Sequence, residues 1–298
     1  MRLLLLGGNG QLGRELRRVL LALGEVIVAT RDGAAADVAA DFDQPQALPA
    51  LVRQIAPDVV VNAAAYTAVD RAESEPEAAF RANAEAPAAL ARGCATTGAL
   101  LVHYSTDYVF DGRSARPYRE DDATAPLGVY GMSKRAGEEA IRASGARHMI
   151  LRTAWVYAAQ GRNFLRTMLR LAAEREELRV VADQVGAPTP AAWIAEATGQ
   201  LLRQGVPASG TWHLTAAGET SWHGFAQAIM DEAQAAGLLA RRPRVLPITT
   251  ADYPTPARRP AYSCLDAAAL RHDFGIGLPS WEQGLAGVIE ELAARPAA

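Results

Sequence analysis

Long apolar runs are missing from the 298-residue sequence; those present, such as Leu3–Leu6 and Val59–Val61, are far too short to span a bilayer. Cysteine is scarce. Cys94 and Cys264 lie far apart and form neither a metal-binding nor a redox spacing, so both read as buried thiols of a reducing compartment. There is no basic block or tail: 30 basic and 33 acidic residues are mixed, and the net charge is -3. Nucleic acid is therefore not an expected partner. The N-terminus enters an apolar strand without a charged leader, so a cleavable signal is not expected and a cytoplasmic location is. What the chain does have is apolar content, 50% of its residues, enough for one large or two unequal domains.

The first informative stretch follows Met1–Leu6 directly. Gly7-Gly8-Asn9-Gly10-Gln11-Leu12-Gly13 stands between that strand and a helix expected over Arg14–Leu23, with Leu16, Val19, Leu20 and Leu23 on one face. A second strand is expected over Glu25–Thr30. Strand, glycine loop, helix and strand in that order form a dinucleotide-binding signature. The glycines allow a tight turn and let backbone N–H groups approach a diphosphate at the helix N-terminus.

Alternation continues with a helix over Gln46–Ala56, a strand over Pro57–Asn62, a helix over Glu75–Thr97 interrupted at Pro87, and strands over Ala99–Tyr104 and His148–Arg152. Repeated strand–helix units predict an α/β fold with a doubly wound parallel sheet. Small residues in Ala63-Ala64-Ala65-Tyr66-Thr67 suit a backbone lying against a cofactor, and Tyr104 is placed on the same wall. After Thr153 the regularity fades. Helices are expected over Asn163–Glu176, Ala191–Arg203, Trp222–Ala236 and Trp281–Ala294, and short strands over Arg179–Val181 and Thr211–Leu214. Arg241–Tyr262, rich in Pro and Arg, reads as an ordered loop. Residues 1–155 are expected to form a dinucleotide-binding domain, rejoined by a segment within about 190–220, and 156–298 mainly a smaller substrate domain.

The chemistry is expected between Ser105 and Lys134. Thr106 falls where the Ala99 strand ends, and Tyr130 and Lys134 are one helical turn apart on one face. An ammonium beside a phenol favours the phenolate, making Tyr130 a usable acid or base near neutral pH. The Thr106 hydroxyl can bond the same substrate oxygen. His103 reads as a packed strand residue.

These motifs together resemble the extended short-chain dehydrogenase/reductase superfamily. Within it, Gly10-Gln11-Leu12-Gly13, Ala68-Val69-Asp70-Arg71-Ala72-Glu73, the run Ser105–Gly112, Arg152–Tyr157, Asp183–Thr189 and Tyr253–Pro260 are similar to the dTDP-4-dehydrorhamnose reductases. The resemblance spans almost the whole chain. It implies NAD(P)H-dependent reduction of the C4 keto group of dTDP-4-dehydro-L-rhamnose to dTDP-L-rhamnose, with Tyr130 as proton donor. Lys134 would lower the Tyr130 pKa and hold the cofactor ribose, and Thr106 would bond the reacting oxygen. Asp107 would contact the sugar, Trp155 its ring face, and Asp41-Phe42 would flank the adenine. Related dehydratases carry Thr-Asp-Glu where this chain has Thr106-Asp107-Tyr108, so dehydration is disfavoured.

Two departures from the family pattern bear on ligands. The acidic residue expected on the adenosine ribose is replaced by Thr30, followed by Arg31, which tilts the coenzyme toward NADPH with NADH still open. Some members bind Mg2+ through glutamates at a dimer interface; where one is expected, after Pro190, stands Ala192, so no metal ligand is assigned. Arg258 and Arg259 are candidates for the dTDP diphosphate. Monomer and homodimer both stay open. So do two other functions: a catalytically silent regulatory subunit on this fold, and a reductase or epimerase for another sugar nucleotide.

Overall fold

A computed structural model describes residues 1–206 and 208–294. The first strand, β1 (Arg2–Leu6), is buried from Leu3 onward, as its continuous apolar run requires in a sheet covered on both faces. It leads through the glycine turn into α1 (Gln11–Leu20), which starts three residues before the expected Arg14 because Gly10 already has the extended N-cap backbone. Then come β2 (Glu25–Thr30), β3 (Val38–Ala39), α2 (Leu48–Ile55) and β4 (Val59–Asn62).

The next helical stretch is composite: α3 (Val69–Ala72), α4 (Pro76–Phe80), a π-helical turn over Arg81–Glu85, and α5 (Ala86–Thr97). Pro87 was expected to interrupt this helix. Instead it sits in the first turn of α5, where its missing N–H costs little, and the irregularity falls on the π-turn just before it. Strand β5 (Leu100–Thr106) ends at Thr106; α6 (Val129–Ala143) carries Tyr130 and Lys134, and β6 (His148–Thr153) follows.

Beyond Thr153 the order is β7 (Val156–Tyr157), α7 (Phe164–Glu174), β8 (Glu177–Val181), β9 (Val185–Gly186), β10 (Thr189–Pro190), α8 (Ala191–Gln204), β11 (Gly210–His213), β12 (Thr220–Ser221), α9 (Trp222–Ala235), β13 (Arg244–Ile248), α10 (Ala268–Phe274) and α11 (Trp281–Ala293). The Arg241–Tyr262 segment is therefore not all loop: Arg244–Ile248 pairs in parallel with β8. Helix α10 was not anticipated either.

Seven strands form one parallel sheet in the order β11-β6-β5-β4-β1-β2-β3. The order reverses between β1 and β4, and ligands of such sheets bind at that switch point, outside the carboxyl ends of the strands. One face of the sheet buries Leu3, Leu5, Val61 and Val102 with Leu16 and Leu20 of α1, Ile194 and Leu201 of α8, and Leu270 and Phe274 of α10. The other face buries Leu4, Leu6, Val60 and Leu101 against α2 and α5. A separate core gathers Leu165, Leu178, Phe225, Ile229, Trp281 and Leu285 from the C-terminal elements. The chain is thus a Rossmann-type α/β fold with a smaller C-terminal part. Segment 191–213 returns to the sheet, with α8 against α1 and β11 against β6.

Candidate active site

Gly7 has φ +78, a left-handed backbone that side chains avoid, and a Cβ there would run into the backbone of Ala63 and Ala64. A Cβ on Gly13 would strike the Gly7 carbonyl, so α1 can start tight under the turn only with glycine. The result is a cradle of backbone at a helix N-terminus, the shape a diphosphate needs.

This cradle is one wall of a cleft of about 610 Å3. Gly7, Gly10, Gln11 and Leu12 line it with Thr30, Arg31 and Phe42 at one end. Ala63, Ala64, Ala65, Tyr66 and Thr67 line its middle, and Tyr104, Tyr130 and Lys134 its far end. Gly13 lies below the turn. Asp41 is not on the wall; its carboxylate accepts the Asp43 N–H at 3.0 Å in a local turn. The Thr30 hydroxyl is also committed locally, donating to the Ala34 carbonyl at 3.2 Å. Arg31 is exposed and has no hydrogen-bond or ion-pair partner among the described residues. Thr153 Oγ1, on the same wall, is buried without a partner among them.

At the far end, β5 delivers Thr106 and Asp107 beside the N-terminus of α6. Glu73 Oε1 accepts the Val129 N–H at 2.8 Å and so caps that helix. Thr106 Oγ1 donates to Asp107 Oδ1 at 2.9 Å and accepts from the Tyr108 N–H at 3.2 Å. Burial pushes the Asp107 carboxyl up to about 6, against the pull of the Ser263 and Thr106 hydroxyls. Burial likewise pushes the Tyr130 phenol up to about 12; the Thr106 hydroxyl opposes that shift and the Asp107 charge adds to it.

This corrects the expectation that Lys134 lowers the Tyr130 pKa. The Lys134 ammonium is turned toward β5, where it donates to the Tyr104 carbonyl at 2.6 Å and stands 3.4 Å from His103 Nε2. Burial brings Lys134 itself down to about 8, with Glu138 one turn on pulling the other way. A phenol held neutral suits giving a proton rather than taking one.

The sugar-side candidates are less uniform. Trp155 has φ +47, a strained conformation for a bulky residue and a pointer to function. Its indole stacks on Trp222 with ring centroids 3.4 Å apart and planes within 1°. One face expected to meet a sugar is therefore already covered. Arg259 grips Asp70 with both ends of its guanidinium, Nη1 to Oδ1 at 3.0 Å and Nη2 to Oδ2 at 2.8 Å. It ties its loop to α3 instead of standing free for a diphosphate. Arg258 is exposed, with no hydrogen-bond or ion-pair partner among the described residues.

Sequence reasoning missed several positioning residues. Asn83, wholly buried in the π-turn, accepts the Tyr66 N–H at 2.8 Å and donates to the Tyr66 carbonyl and the Ser133 hydroxyl, each at 3.0 Å. It thereby fastens the 63–67 wall to the Tyr130 helix. Asn163 Nδ2 donates to Gln11 Oε1 at 2.7 Å and holds the glycine loop from the C-terminal side. These are long-range contacts with no local pattern. One signal was present in plain composition: Lys134 is the only lysine among the 30 basic residues.

Known proteins resemble this chain over nearly its whole length. The family described as RmlD substrate binding domain matches residues 1–294. A curated dTDP-4-dehydrorhamnose reductase of Burkholderia thailandensis is 49% identical over 302 residues, covering 98% of this chain and 99% of its own length. The chain belongs to the dTDP-4-dehydrorhamnose reductase family. Two solved structures of family members superpose over nearly the whole fold. One, from Clostridium acetobutylicum, is 36% identical with a TM-score of 0.90, covering 98% of this chain and 99% of that one. Another, from Bacillus anthracis and in complex with NADP, is 35% identical with a TM-score of 0.89, covering 97% and 99%. Among the described residues no helix is long and apolar enough to cross a membrane.

Proposed function

We propose that the chain reduces the C4 keto group of dTDP-4-dehydro-L-rhamnose to give dTDP-L-rhamnose, with NADPH preferred and NADH as the other coenzyme. The observation that carries this reading is the single cleft that joins the glycine cradle to Tyr130 and Lys134. The cradle over Gly7–Gly13 suits the coenzyme diphosphate, and the free Arg31 suits a 2′-phosphate. When bound, the nicotinamide supplies a hydride to the keto carbon. Tyr130 gives its phenolic proton to the oxygen of that carbon, and the Thr106 hydroxyl beside it orients the same oxygen. Lys134 holds the ribose and keeps positive charge near the developing alkoxide. Asp107 receives a sugar hydroxyl, Trp155 borders the ring, and Arg258 rather than Arg259 meets the diphosphate. In this reading residues 1–155, rejoined by the returning segment near 190–220, bind the coenzyme, and the C-terminal core supports the sugar nucleotide.

The test is consumption of NADPH with dTDP-4-dehydro-L-rhamnose, set beside dTDP-4-dehydro-glucose and UDP-sugars. Rapid oxidation with the rhamnose precursor alone is expected. Faster turnover of any other sugar nucleotide would replace the substrate, and no turnover of any would remove the reductase reading.

A further inference from the structure

Behind the Tyr130–Lys134 face lies a chain of buried polar groups that the reaction above does not use. His103, in the middle of β5, is wholly inaccessible to solvent. Its Nδ1 is 3.0 Å from Asn62 Nδ2. The Asn62 amide is oriented by a second bond, for its Oδ1 accepts the Ala64 N–H at 3.1 Å. Nδ2 is therefore the donor toward His103, and Nδ1 must accept. A neutral imidazole that accepts at Nδ1 carries its proton on Nε2. Burial first, and then the Lys134 charge, keep this ring neutral.

The Nε2–H points at Lys134 Nζ, 3.4 Å away. An ammonium has only donors, so the charged form of Lys134 gains no bond from the ring. The neutral amine has a lone pair that the Nε2–H can fill. We propose that His103 is a positioning residue for Lys134, its tautomer fixed through Asn62 by the Ala64 N–H, and that it sets how readily the amine gives up its proton. The inference rests on the reading of Tyr130 and Lys134 above.

The other groups facing Lys134 do not supply this effect. From β5, the Tyr104 carbonyl accepts one ammonium proton, and the Tyr104 phenol, raised by burial, stays neutral. From the same helix, Tyr130 is neutral at physiological pH and Glu138 acts against the loss of charge. Asp107 follows β5, and Arg152 on β6 has its guanidinium bound to Glu138. Among the described residues, the ring N–H is thus the one polar group aimed at Nζ that favours the uncharged amine. Arginine could not substitute, because its guanidinium does not give up a proton in proteins. A sequence that uses arginine at every basic position but 134 is consistent with a demand for a titratable amine there.

The single lysine also makes the test direct. In full-length enzyme labelled with 13C,15N-lysine, one side-chain signal reports Lys134, and its titration needs no turnover. We expect that signal to titrate well below the ordinary lysine range. In His103→Phe it should move up by at least about half a pH unit, roughly a threefold gain in proton affinity. The alkaline limb of kcat/KM, which reports the free enzyme, should move with it. In 15N-histidine spectra of the wild type, His103 should carry its proton on Nε2. An unmoved Lys134 titration in His103→Phe, or a proton on Nδ1, would overturn the proposal. If His103→Phe does not fold, the wild-type tautomer decides alone. Full reductase activity in Lys134→Met would instead remove the active-site reading and leave these spectra intact.

Discussion

The two ends of α6 hold buried cations in opposite circumstances. Tyr130, Lys134, Glu138 and Arg142 are spaced by four and share one face of the helix. At the N-terminal end Lys134, 2% exposed, makes no ion pair among the described residues and rests on a carbonyl. Toward the C-terminal end Arg152, also 2% exposed, grips Glu138 through Nε at 2.9 Å and Nη2 at 2.8 Å, and Arg142 adds a third bond at 2.8 Å. Glu138 stays below the usual carboxylate range, although its burial works against the Arg152 bonds. The saturated end fixes structure, since the buried Arg152 and Glu138 spend their charge on each other. The unsaturated end keeps a cation and a phenol facing the cleft.

The largest effect should come from breaking the saturated end. Glu138→Ala leaves Arg152 buried without its partner and should cost about 3–5 kcal/mol of stability, measured by urea unfolding. A loss below about 1 kcal/mol would mean that water or a shifted side chain replaces the carboxylate.

Next comes the unsaturated end. Tyr130→Phe should lower turnover at least roughly a hundredfold while leaving coenzyme affinity and melting temperature near wild type. Near-normal single-turnover rates would show that the proton comes from elsewhere.

Farther along the cleft, Arg31→Ala should raise the apparent KM for NADPH about tenfold, close to 1.4 kcal/mol, and leave the NADH reaction unchanged. Equal weakening of both coenzymes would show that Arg31 does not read the 2′-phosphate.

The smallest effect concerns Asp107. Its folded pKa is raised to about 6, so the folded state holds the proton more tightly than the unfolded chain does. The stability linked to that proton is present at low pH and is lost as the pH rises from the unfolded carboxylate value through about 6. Asp107→Asn removes the buried charge. It should stabilise the protein by about 1 kcal/mol at pH ~8, a gain that shrinks toward pH ~4, while sugar binding weakens. Thermal melts across pH check the first part. A pH-independent difference would mean that Asp107 ionises freely.

Much of the sheet was legible because its strands are short apolar runs bounded by turn residues, and Thr106 falls at a strand end as expected. Strand β13 was not. Of Arg244–Ile248 only Val245 is buried, so the stretch carries no alternation, and Pro247 argues against a strand except at an edge. Trp222 was placed on a helix but not against Trp155. The Asp70–Arg259 grip, which takes one of two candidate arginines out of contention, joins residues 189 apart.

The sequence by itself determined what local geometry can encode. Glycines at 7, 10 and 13 permit one tight turn, and a four-residue spacing puts Tyr130 and Lys134 on one helix face. Tertiary structure decided the charge each group holds. Proton affinity depends on burial and on partners within a few ångströms, and those arrive from distant segments: His103 lies 31 residues before Lys134, and Asn62 lies 41 before His103.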